Sequence, residues 1–104
     1  MKYIRVSVSI NALGVESGWG DKMPLSDLED GRTIRIDAML PSQYGPYVAP
    51  IYAKMNDDKT AVEVTSEKYG NDTLPLDDKY RSWKSPEIGL SYATCQISVF
   101  LSTF

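Results

Sequence analysis

Lys2-Tyr3-Ile4-Arg5-Val6-Ser7-Val8-Ser9-Ile10-Asn11 is the stretch whose reading decides the fold. Ile4, Val6, Val8 and Ile10 alternate with Tyr3, Arg5, Ser7, Ser9 and Asn11. A period of two places the aliphatic set on one face of a pleated strand and the polar set on the other. Such a strand needs neighbours to satisfy its backbone and a core to cover its apolar face. The rest of the chain reads as the supplier of both.

Two further stretches repeat the pattern. Arg32 to Leu40 turns Ile34, Ile36, Ala38 and Leu40 inward, with Thr33, Arg35, Asp37 and Met39 alternating. Tyr47 to Met55 and Thr60 to Ser66 read as two strands joined by the turn Asn56-Asp57-Asp58-Lys59, a hairpin. Pro50 cannot donate to a ladder, so the third strand is expected at a sheet edge or bulged there. The last segment, Ile88 to Phe104, is β-rich. Cys95, Ile97, Val99 and Leu101 share one phase, whereas Ile88, Leu90 and Tyr92 hold the other. The slip near Ala93-Thr94 marks a bulge or a break between two strands.

Two stretches read as irregular. Ala12 to Asp30 carries Gly14, Gly18 and Gly20, then Ser26 and Glu29 spaced as a capping box for a helical turn over Asp27 to Asp30. Glu67 to Pro86 carries a turn at Tyr69 to Asp72 and a helical turn from Asp77 through Trp83. No crossover helix of parallel-sheet length separates any two strands. The expectation is therefore one all-β domain over residues 1–104 with minor helical turns. It is a small antiparallel β-sandwich or partly open β-barrel of five to six strands.

At 104 residues the chain buries roughly two-thirds of its unfolded surface, enough for one core without staples. Eleven basic against fourteen acidic residues give a net charge of −3. That balance excludes general nucleic-acid binding and a polybasic membrane patch. No apolar run approaches the roughly 18 residues of a membrane span. The single cysteine, Cys95, permits no intrachain disulfide, and the reading is a cytoplasmic protein. The absence of histidine removes imidazole acid–base catalysis, Ser-His and Cys-His nucleophiles and His-based metal sites. Glu29-Asp30, Asp57-Asp58 and Asp77-Asp78 lie where turns favour Asp for backbone reasons. The chain is thus read as no enzyme, with no cofactor and no metal.

Aromatic and basic clusters are the remaining candidates. Trp19, Tyr44 and Tyr47 form one, and Lys79, Tyr80, Arg81, Trp83 and Lys84 the other. Trp, Tyr and Arg are preferred interface anchors, and rings beside cations also suit stacking on bases or sugars. Phe100 and Phe104 fall on the face opposite Ile97, Val99 and Leu101. A strand apolar on both faces is buried on both or meets another chain, which marks them as a homo-oligomer interface. The expected function is a non-enzymatic binding protein, an inhibitor or adaptor engaging a protein partner through aromatic loops. The alternative is a small-ligand module for a nucleotide, oligonucleotide or sugar that uses the same clusters.

Overall fold

The computed structural model describes residues 2–40, 47–77, 81–89 and 93–103. Strand β1 (Tyr3–Ala12) takes the alternation of the opening stretch, with Ile4, Val6 and Val8 buried. It turns at Leu13-Gly14 into β2 (Val15–Pro24), registered from Ala12 against Val15 to Tyr3 against Pro24. Leu13 (φ 53°) and Gly14 (φ 79°) both lie in the left-handed region. That is a type I′ turn, whose twist matches that of the strands it joins.

The expected irregular stretch is thus half strand. Its glycines hid it, and its inward positions (Val15, Ser17, Trp19, Asp21, Met23) mix polar and apolar residues as an edge strand tolerates. A 3-10 turn follows at Leu25–Leu28, earlier than the capping box predicted and without a side-chain cap. Pro24 presets the entry at φ −60°, and the Leu25 N–H donates to the Lys2 carbonyl at 2.9 Å. Leu28 goes fully into the core, so burial and not the capping box sets the start.

Strands β3 (Ile34–Leu40), β4 (Tyr47–Met55) and β5 (Ala61–Ser66) fall where alternation placed them. The turn between β4 and β5 is held by Asn56 Oδ1, which accepts the N–H groups of Thr60 at 2.9 Å and Ala61 at 3.1 Å. Strand β6 (Gly70–Pro75) replaces the expected turn at Tyr69 to Asp72, pairing along β5 from Ala61–Pro75 to Ser66–Gly70. Ser82–Lys84 is a short strand, β7, not the end of a helical turn. The phase slip resolves into β8 (Ile88–Gly89) paired antiparallel with β9 (Ala93–Ser102).

The strands form two antiparallel sheets. One runs β2-β1-β9-β7, with β8 also on β9; the other runs β3-β4-β5-β6. The sheets pack face to face and do not close into a barrel. Nine described strands exceed the expected five to six because the two glycine- and proline-rich stretches hold β2, β6 and β7. Strand β4 is interior, not an edge. Pro50 is accommodated because it pairs with Asp37 on one side, while the ladder to β5 begins only at Ile51.

Ile4, Val6, Val8, Ile97 and Val99 of the first sheet meet Ile36, Ala38, Ile51, Val62, Val64 and Leu74 of the second in one buried cluster. Each fully buried large aliphatic contributes about 1.5–3 kcal/mol. The β6/β7 flank is sealed by Trp83, only 7% exposed, and by an ion pair from Arg81 to Asp72 at 2.8 Å.

Candidate functional site

The body is elongated, measuring 44 × 22 × 20 Å. Up to Val8, β1 is covered by the second sheet; beyond it Ile10 is half-buried and Ser9 and Asn11 are exposed. The tip carries Leu13, 94% exposed, and Val15, 67% exposed. An exposed leucine in the left-handed region is costly on two counts. The backbone conformation disfavours a β-carbon by roughly 1–2 kcal/mol, and the side chain gains nothing from burial. A turn of this type prefers Asn-Gly. At the side of the hairpin lies an open depression of about 320 Å³ bordered by Asn11, Glu16, Glu87, Thr94 and Gln96. Of the expected aromatic and basic residues, none among the described ones lines it.

A second group sits where β4 begins. Tyr47 pairs with Leu40 at the end of β3, and its ring is half-buried against the core. Lys68 donates to the Tyr47 hydroxyl at 2.9 Å and lies 5.3 Å from the ring centroid. The hydrogen bond from Lys68, then one with the Tyr69 hydroxyl, holds Tyr47 below the ordinary phenol range. Tyr69 is pushed up to about 12, first by burial and then by its bond to Tyr47. Lys68 is raised by the same contact. The arrangement polarises one phenol oxygen at the protein surface. Sequence reasoning named Tyr47 but missed Lys68 and Tyr69, because the Glu67–Tyr69 turn that delivers them carries no pattern pointing across to β4.

The structure describes only part of each expected cluster. Trp19 lies on the inner face of β2, opposite Val8, and packs half-buried against the core. Tyr47 reaches the same core from the other sheet. In the second cluster, strand alternation turns Trp83 inward, while Ser82 and Lys84 face out. Arg81 is engaged by Asp72. The Trp83 ring is therefore a core element in this state. Tyr44, Lys79, Tyr80 and Phe104 lie outside the described residues. Phe100 is half-buried on the outer face, between Arg5 of β1 and Ser82 of β7. Strand β9 has neighbours on both sides, so its edges are occupied.

The acidic residues follow the turn reading where they are described. Asp58 accepts from the Thr60 hydroxyl at 2.6 Å and the Thr60 N–H at 3.3 Å, contacts that lower its pKa. Asp30 is lowered by its fork to Arg32. Among the described residues no three Cys, Asp or Glu side chains converge as metal ligands. Cys95 is buried, and burial pushes its thiol up. No helix among the described residues is long and apolar enough to cross a membrane. Comparison with protein-family models, curated proteins and solved structures returned no match.

Proposed function

We propose that this protein is a non-enzymatic binding protein that engages a protein partner with the end of the sandwich from which the β1–β2 hairpin projects. One observation carries the reading: Leu13, at the hairpin tip, is 94% exposed in a left-handed conformation that Asn or Gly would hold at lower cost. A side chain that weakens the turn and gains nothing by burial in its own chain is explained by a pocket on another. Loops and tips on a rigid β scaffold commonly carry recognition. Tyr47, with its polarised hydroxyl, stands where β4 begins and adds a hydrogen-bonding group of the kind enriched at interfaces. An inhibitor or adaptor role is consistent with recognition by a projecting hairpin.

The test is affinity capture from cells carrying the gene, comparing the unmodified protein with Leu13→Asn. A specific protein retained by the first and lost with the second supports the reading. Equal retention by both, or none by either, rejects it.

A further inference from the structure

We propose that β2 is a self-pairing edge: it adds antiparallel to the β2 of a second copy about a two-fold axis through Trp19. Among the described residues β2 has one strand neighbour, β1, so one side of its backbone is unpaired. Its hydrogen-bonding phase follows from the hairpin. A two-residue turn closes on a hydrogen-bonded pair, here Ala12 and Val15, and such pairs then alternate along the ladder. Glu16, Gly18, Gly20 and Lys22 therefore direct their N–H and C=O groups to the free side. The Lys22 N–H shows this directly, donating to the Asp21 carboxylate at 2.8 Å and not to β1.

An antiparallel two-fold centred on Trp19 pairs those outward residues with one another. Glu16 meets Lys22 of the second copy, and Gly18 meets Gly20, each twice by symmetry. On the inner face Val15 meets Met23, Ser17 meets Asp21, and the two Trp19 rings meet on the axis. Centring the axis one residue either way loses the opposition of charges. Among the described residues neither Glu16 nor Lys22 has an ion-pair partner in its own chain, although Lys22 lies 4.5 Å from the Tyr3 ring centroid. Opposed unlike charges stabilise cross-strand pairs and like charges oppose them.

Gly20 adds to the case. A β-carbon at Gly18 would meet the Val8 carbonyl at 3.1 Å, so the fold itself gives a reason for that glycine. At Gly20 the nearest atom would be 3.7 Å away, an ordinary contact. Glycine weakens a strand interior and marks close approach of another backbone. Pairing requires the Asp21 carboxylate to release the Lys22 N–H, and the Ser17 hydroxyl of the second copy offers it a replacement.

Sedimentation at low salt across a concentration series tests the pairing. The unmodified protein is expected to dimerise, and Glu16→Lys or Lys22→Glu each to weaken the dimer about ten-fold. Mixing the two single variants restores association as a heterodimer, and so does the double swap in one chain. Gly20→Pro, which removes an outward N–H, is expected to be monomeric and still folded by circular dichroism. Leu13→Asn lies outside the paired segment and leaves the dimer intact, which separates this surface from the tip. A monomer at every concentration, or a dimer indifferent to both charge swaps, overturns the proposal. Should Gly20→Pro not fold, the charge-swap series decides alone.

Discussion

The hydroxyl of Ser85 accepts the backbone N–H of Ile97 at 2.9 Å, in a position 1% exposed. The Ser85 N–H donates to the Ile97 carbonyl at 2.9 Å, and its own hydroxyl donates to the Pro86 carbonyl at 2.9 Å. Gln96 Nε2 closes the group on the Ser85 carbonyl at 2.8 Å. Ser85 thus prolongs β7 for one residue and supplies with its side chain what a longer strand would supply with its backbone. Ser85→Ala leaves the Ile97 N–H buried without an acceptor. The expected loss is about 1–3 kcal/mol in urea denaturation, while Ser85→Thr, which keeps the oxygen, loses less.

Under the proposed function, replacing Leu13 trades binding for stability. Leu13→Asn suits the type I′ turn, and unfolding is expected to cost about 1 kcal/mol more. For a domain of this size that raises Tm by about 4–8 °C. A variant less stable than the unmodified protein would mean that Leu13 contributes to its own fold.

Trp83 should behave as core. Trp83→Ala is expected to lose about 3–5 kcal/mol, because it opens the flank between β6 and β7 where the Gly70 backbone approaches the ring. Trp83→Phe retains most of that burial. Emission from Trp83 should be that of a buried indole and resist iodide quenching; ready quenching would place the ring at the surface.

The Tyr47–Tyr69 pair gives the alkaline limb of stability a defined shape. Tyr69 holds its proton more tightly folded, near 12, than unfolded, near the ordinary phenol value of 10.0. Its contribution is fully present below pH 10 and is lost as pH rises towards 12. Tyr47 is shifted down, so its contribution has the opposite sign and grows as its phenol ionises. Ultraviolet titration should show one early and one late phenol; Lys68→Met moves the early one up, and Tyr69→Phe removes the late one. Coincident titration of all phenols would contradict the hydrogen-bonded pair.

Much of the scaffold was legible in the chain itself. Alternation over Ile4 to Ile10, Ile34 to Leu40 and Cys95 to Leu101 is a local property, and each strand that showed it now lines the core. Residue chemistry was equally legible: without histidine, and with one cysteine, whole classes of catalytic and metal site were absent before any fold was known. What the sequence could not show is which strand stands at an edge. Strand β2 owes its mixed inward face to covering on one side only. Strand β4 tolerates Pro50 in the sheet interior because β5 ends one residue short of it. Trp83 is core and Lys84 surface because β7 is extended, and the Lys68–Tyr47 contact spans 21 residues and two loops. These depend on contacts between distant segments, which alternation along one segment does not encode.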